Sequence, residues 1–404
     1  MFNNSISENI LWFIAGFGTI QGILLALIIY FHPKSDRSVN IFLALFIVSL
    51  SLTAFTPLIY KIVGWQKSYY TGSLPLLPGP FLYLYVCSFK KLITWKKALP
   101  HFIPFLLFTL ISYFMINYLA GLYPGAVDLP EAVLKNPASY LISTLRLSLL
   151  VIYCFLARRT LFSYQRSLQQ LFSDTSRINL DWVRWLINGF LIIVILSIIL
   201  VALMFVYPAH LNLLLALIVA LLAPYFYLAA YKGITQPTIW QNKPGINKEQ
   251  VVEEFKEAEK LEEVSEQKEK TRQQKAGLFD GKMEEIAARI VTAMEVEKLF
   301  QETELTLQNL ADKLSCPSYQ ISLAINDGLN KNFYDLVNGY RVEEAKKLLL
   351  SEKNRNYTIL SVGFEAGFNS KTTFNTVFKK FTGFTPSEFR SRQTEKLSVN
   401  STVA

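Results

Sequence analysis

Acidic residues are scarce in the first part of this sequence, and cysteines are scarce throughout. Only 6 of the 31 Asp and Glu residues lie before residue 241, beside 16 Lys and Arg, which leaves 25 acidic and 24 basic residues after it. The formal charge of +9 is thus the sum of +10 and −1, and it belongs to the N-terminal part rather than marking a nucleic-acid-binding chain. Three cysteines, Cys87, Cys154 and Cys316, are too few for a disulfide scaffold. No collagen-like or low-complexity repeat is present, and an apolar content of 51% excludes a disordered chain. His32, His101 and His210 are scattered, and neither they nor the cysteines show metal-ligand spacing. There is no H-E-x-x-H, no G-x-S-x-G and no pair of carboxylates inside an apolar run, so no catalytic residue, metal or cofactor is expected. Gly16, Gly18 and Gly22 superficially suggest a phosphate loop, but their spacing has an extra residue. They also lie inside an apolar run, where close helix packing is the expected role.

What the N-terminal part has instead is apolar length. Seven runs recur, near 9–31, 41–60, 74–89, 101–123, 138–157, 186–207 and 213–231. At about 1.5 Å per residue each can cross a hydrocarbon core of roughly 30 Å, except the Pro-rich third, which is marginal. The opening MFNNSISENI has no basic n-region, and no small-residue cleavage site follows the first run, so an anchor is expected rather than a signal peptide. With seven spans and the N-terminus outside, the inner loops carry 11 Lys and Arg and the outer segments 3, namely Lys61, Lys67 and Lys135. Six spans with the N-terminus inside give the same 11 to 3. Seven are preferred because residues 74–89 carry no charge, and proline is tolerated where neighbouring helices satisfy the freed backbone. Both arrangements expect a multi-pass inner-membrane protein, in contact with the lipid bilayer, with residues 232–404 in the cytosol.

Arg146 is the one charge inside a run, in LISTLRLSLLVIY, and no Asp or Glu lies inside any run to pair with it. A guanidinium at that depth costs at least a few kcal/mol unless it is satisfied. It is expected either to snorkel or bond a backbone carbonyl, or to face a cavity and hold an anionic ligand or lipid headgroup; the nearest carboxylates are Glu8, Asp128 and Glu131. The composition then changes after Tyr231. A turn-rich stretch with Pro237 and Pro244 leads into residues 248–270, which hold nine Glu and five Lys. Val251, Phe255, Ala258, Leu261 and Val264 make a thin stripe at helical spacing there. A solvated tether over 241–281 is expected, with a short coil supporting a homodimer as the alternative.

The remaining residues, 282–404, read as short helices with clear punctuation. Thr306 is placed to cap LQNLADKL, with Leu305 and Leu310 as a hydrophobic staple, and a second helix starts at Pro317 or Ser318. Ile321, Ala324 and Ile325 form the inner face of that second helix, leaving Ser318, Tyr319, Gln320, Ser322 and Leu323 outward. This is a helix-turn-helix pattern near 306–327. A longer helix follows, and the pattern recurs near 358–382. There Thr358 is a cap, Gly367 a left-handed helix end, and SKTTFNTVFKKF a helix whose Phe374, Val377, Phe378 and Phe381 are expected to face inward. Thr385-Pro386-Ser387-Glu388 is a capping box with Pro at its first helical position, flanked by Phe384 and Phe389.

GFEAGFNSKTTFNTVFKKFTGFTPSEFR, residues 363–390, resembles the C-terminal signature of AraC/XylS-type transcription regulators. The resemblance covers about 285–392 and implies two helix-turn-helix units joined by a long helix. PFLYLYV from Pro80 and HFIP from His101 more loosely resemble multi-span, membrane-anchored members known mainly from Bacteroidetes. It implies double-stranded promoter DNA as partner, with Ser318–Ser322 and Ser370–Asn375 entering successive major grooves. The implied DNA-binding set is Ser318, Tyr319, Gln320, Ser322, Ser370, Lys371, Thr372 and Asn375, with Lys371, Lys379, Lys380 and Arg390 on phosphates. Two departures bear on this. The first unit, 282–352, has 8 basic and 12 acidic residues and no Lys or Arg on its recognition helix, so the net-positive second unit is expected to supply the electrostatic hold. Gly363 stands where the family commonly has Ala, a loss of about 1 kcal/mol in helix propensity.

The expected architecture is therefore all-α, a bundle of about seven membrane helices followed by a cytosolic double helix-turn-helix domain. The expected function is a membrane-bound regulator that couples an unknown small-molecule or membrane signal to promoter binding. The alternative is a transporter or channel with a regulatory cytosolic domain, which the near absence of intramembrane charge disfavours.

Overall fold

The computed structural model describes residues 2–32, 37–63, 71–90, 93–122, 136–175, 180–207, 210–235, 280–354 and 356–392. They are helical, and among them the only β pairing is one isolated antiparallel bridge, Phe172 with Thr306. Two compact units form: Met1–Tyr164 with Leu180–Gly245, and Gln165–Asn179 with Ile246–Ala404. The stripe at residues 251–264 and the carboxylates Asp128 and Glu131 lie outside the described residues, as does the side chain of Glu8.

The first unit holds α1 (Phe2–Phe31), α2 (Arg37–Val63), α3 (Pro78–Cys87), α4 (Trp95–Ala98), α5 (Ile103–Leu122), most of α6 (Pro137–Leu171), α7 (Asp181–Val206) and α8 (Leu211–Thr235). Among the described residues, five helical stretches are long and apolar enough to cross a membrane, Arg37–Ile59, Trp95–Leu122, Pro137–Leu171, Asp181–Val206 and Leu213–Thr235. Two shorter apolar stretches are Ala15–Phe31 and Gly72–Cys87. The Pro-rich run is broken at Leu77 into a 3-10 turn, Thr71–Leu76, and the ten-residue α3, because Pro75, Pro78 and Pro80 each lack the N–H that an unbroken ladder needs. An α-helix of that length covers only about 15 Å.

Packing here is by close approach. A Cβ on Gly22 would fall 1.9 Å from the Ser51 hydroxyl and one on Gly18 3.8 Å from the Phe226 ring, so the glycine stripe of α1 serves contact with α2 and α8. Phe46 meets Phe190 and Tyr225 edge-on, and Tyr225 donates to the Leu186 carbonyl at 2.6 Å. Hydroxyls such as Thr19, Ser51 and Thr109 donate back to the carbonyl four residues earlier, which satisfies them without water. Large apolar side chains cover the outside, including Leu106, Phe114, Phe155 and Ile192, each more than half exposed. Arg146 donates to the Gly72 carbonyl and, at 3.1 Å, to the Ser143 hydroxyl. Backbone and hydroxyl acceptors thus take up part of the guanidinium's donor capacity.

The second unit comprises the end of α6 from Gln165, then α9 (Asp280–Glu295), α10 (Leu307–Leu314), α11 (Ser318–Leu323), α12 (Phe333–Leu350), α13 (Ile359–Glu365), α14 (Lys371–Thr382) and a last helix α15 at 386–392. Residues 165–179 group with the C-terminal residues rather than with the apolar helices that flank them in sequence. The physical reason lies in α6. At 35 residues it is roughly 52 Å long, well beyond a hydrocarbon core of about 30 Å, and its polar end SYQRSLQQL still buries Leu168 and Leu171.

Candidate nucleic-acid interface

The first helix-turn-helix is set by short-range chemistry. Thr306 accepts from the Asn309 amide at 3.1 Å, and the Asn309 side chain accepts from the Thr306 amide at 3.2 Å, a capping box with Asn at the third position. Leu305 and Leu310 are buried beside it. Ser315 takes the left-handed conformation, φ 51°, to end α10. After Pro317 the six-residue α11 begins and loosens into a π turn at Ala324–Gly328. Ile321, Ala324 and Ile325 are buried against α9, α10 and α12 neighbours, so Tyr319 is 47% exposed on the opposite side. Ser318 donates to the Gln308 side chain, Gln320 to the Tyr319 hydroxyl at 2.8 Å, and Asn326 to Ser322 at 3.4 Å. These side chains form a polar surface row with local partners rather than a charged one.

The second unit repeats the scheme. Thr358 caps α13, accepting from the Ser361 amide at 3.1 Å. Gly367, at φ 94°, makes the turn, and a Cβ there would sit 2.6 Å from the Phe300 carbonyl oxygen, so the position is closed to any side chain. Ser370 caps α14 through the Thr373 amide at 3.1 Å, which commits its hydroxyl to the helix start. Lys371, Thr372 and Lys379 are exposed and Asn375 is half-buried. Phe374, Val377 and Phe378 are buried in the cluster that joins α12, α13 and α14. Phe381 departs from the inward face expected for it, at 39% exposed. It lies one turn past the buried stripe, where it faces Gly339 of α12, and Lys380 sits over its ring at 5.6 Å.

Two of the four expected phosphate cations are engaged within the protein. Lys380 pairs with Asp335 at 2.7 Å and lies 5.1 Å over the Tyr334 ring, while Arg390 is half-buried and donates to the Tyr357 carbonyl at 2.8 Å. Lys371 and Lys379 stand on the exposed surface of α14. Gly363 also gains a reason. A Cβ there would fall 2.7 Å from Cδ1 of the buried Phe374 ring, so the small residue lets α14 press onto α13.

A buried polar cluster escaped the sequence reading. Arg341, fully buried, donates to the Phe300 carbonyl at 2.7 Å and the Glu302 carbonyl at 2.7 Å. Asn338 lies beside it, also fully buried. Burial pulls the Arg341 guanidinium down to about 10, and nearby Asp174 acts in the opposite direction, so it stays charged near neutrality. The signal was available in the spacing. Positions 334, 337, 338, 341 and 345 lie on one helix face, which places an Arg on the inner side of α12.

Comparison with known proteins bears on this surface alone. Residues 310–392 match the family model described as a helix-turn-helix domain. The protein named "Uncharacterized HTH-type transcriptional regulator in cgkA 5'region" from Pseudoalteromonas carrageenovora is 37% identical over 71 residues, 18% of this chain and 37% of its own length. The match thus spans little more than a third of that relative. No solved structure matches the chain.

Proposed function

We propose that this chain, whose residues 310–392 form a helix-turn-helix domain of the AraC type, is a membrane-bound transcription regulator that binds promoter DNA in response to a signal reaching its apolar half. One observation carries the reading. A domain with two capped helix-turn-helix units follows, in the same chain, several helices that among the described residues are long and apolar enough to cross a bilayer. The inner-loop excess of Lys and Arg favours an inner-membrane protein whose C-terminal domain is cytosolic.

In this reading α11 and α14 are the recognition helices. Tyr319, Gln320 and Ser322 read base edges weakly, with Ser318 at the helix start. Thr372 and Asn375 read the second groove, and Ser370 sets the start of α14. Lys371 and Lys379 hold phosphates; Lys380 and Arg390 add to them only by giving up Asp335 and the Tyr357 carbonyl. An anion at Arg146 would likewise have to displace the Gly72 carbonyl. The partners are promoter DNA, lipid and a small-molecule or membrane signal, with a second copy of the chain as the alternative to a purely monomeric tether. The test is a mobility shift with the full chain in lipid nanodiscs and a library of duplexes. Enrichment of one sequence family supports the reading, and salt-sensitive binding without sequence preference would sink it.

A further inference from the structure

Residues 167–174 are the last turn of the apolar helix α6 and the three residues after it, yet they are built into the second unit. Ser167, Leu168, Leu171, Phe172 and Ser173 are all buried. Phe172 pairs with Thr306 in an antiparallel bridge, and the Ser173 amide donates to the Leu305 carbonyl at 3.3 Å. The Ser173 hydroxyl donates to the same carbonyl at 2.6 Å and accepts from Arg341 at 3.3 Å. The Ser173 carbonyl accepts from Asn338 at 2.8 Å. Every polar atom of Ser173 is thus used by two places only: the N-cap of the first helix-turn-helix and the long helix α12 that joins the two.

We propose that residues 167–174 are a latch through which α6 acts on the DNA-binding unit, setting how the two helix-turn-helix units are held on α12. This rests on the DNA-binding reading above. The position of the contact favours adjustment over blockade. It touches residues 305, 306, 338 and 341 and leaves the exposed Tyr319, Lys371, Thr372 and Lys379 uncovered. Its location is also the one the charge pattern requires. Arg158, Arg159, Arg166 and Arg177 put this loop on the inner side, where both topologies place the C-terminal residues, with α7 and α8 between them. A latch made of the end of α6 gives a membrane helix a direct route to the DNA-binding unit, one that does not run through the tether at 241–281.

The test uses the full chain in nanodiscs carrying F172C/T306C, with a protease site placed between residues 246 and 279. Bridge partners lie about 4.5–5.5 Å apart at Cα, within the reach of a disulfide. After cleavage, the two fragments are expected to stay joined until reduced, while F172C or T306C alone leaves them separate. A duplex selected against the unmodified chain is then titrated with the oxidised and reduced forms. A difference of about five-fold or more is expected. Absence of the cross-link overturns the latch, and equal affinities of the two forms overturn its regulatory role. An unmodified chain that selects no duplex sinks the DNA-binding reading instead, and the cross-link still reports on the contact. If the double variant fails to fold, hydrogen exchange on the unmodified chain decides. The Ser173 amide is expected to be protected as strongly as α12, and exchange at free-loop rates overturns the proposal.

Discussion

Gly363 and Gly367 lie four residues apart and are small for different reasons. At Gly367 the backbone itself forbids a side chain, through φ 94° and the Phe300 carbonyl 2.6 Å from the Cβ position. Gly367→Ala is expected to lower stability by on the order of 3 kcal/mol, the sum of a left-handed penalty and a forced backbone shift, read from the denaturant midpoint of the second unit. At Gly363 a gain of about 1 kcal/mol in helix propensity opposes overpacking of about 1–3 kcal/mol against Phe374. Gly363→Ala is therefore expected to be neutral or mildly destabilising, and a clear rise in melting temperature would show that the ring moves freely.

The same scale separates the cations. Lys371→Ala is expected to weaken DNA binding and lower the salt slope by about one while leaving thermal stability unchanged. Arg390→Ala is expected to lower stability as well, because it releases the Tyr357 carbonyl that ties α15 to the segment before α13. An Arg390→Ala chain that melts with the unmodified one would assign that side chain to phosphate contact alone.

At the scale of elements, the helix starts carry much of the order. Thr306→Ala removes the hydroxyl that accepts from Asn309 and is expected to cost about 1 kcal/mol in unfolding experiments. The box at Thr385 adds a pH dependence. The Thr385 amide and hydroxyl hold the exposed Glu388 carboxyl below its ordinary value of 4.5. A lowered folded-state value means that the contribution is complete above about pH 4.5 and is lost as pH falls through the lowered value. Amide exchange at Thr385 is expected to rise over that acidic range in the native chain and to lose this step in Glu388→Gln. Caps of this kind were legible in advance at Thr306, Thr358 and Thr385, because donor and acceptor are three residues apart. Phe381 was not, since helical spacing gives a face but not how far the neighbouring helix reaches along it.

For the whole molecule, the distribution of charge is the organising fact. The excess of Lys and Arg in one alternate set of loops is the expected orientation signal, one that would put the net-negative remainder on the same side as those loops. A reporter fused after Ser5 is expected to be active in the periplasm if Gly72–Cys87 completes a seventh crossing, and cytosolic activity there would establish six. In either case a protease added to inside-out vesicles is expected to reach residues 280–392.

Periodicity, caps and charge act over a few residues or by simple addition. For that reason the sequence alone determined the apolar helices and the two capped helix-turn-helix units. The tertiary structure decided where distant residues meet. The Ser173 hydroxyl and the Leu305 carbonyl are 132 residues apart, and Arg341 and Ser173 are 168 apart, so no local pattern links them. Their contact transfers 165–179 to the second unit and turns an Arg on an apolar helix face into the centre of a buried polar cluster. The physical reason is the cost of leaving such groups unpaired: a buried guanidinium must find its acceptors wherever the fold supplies them.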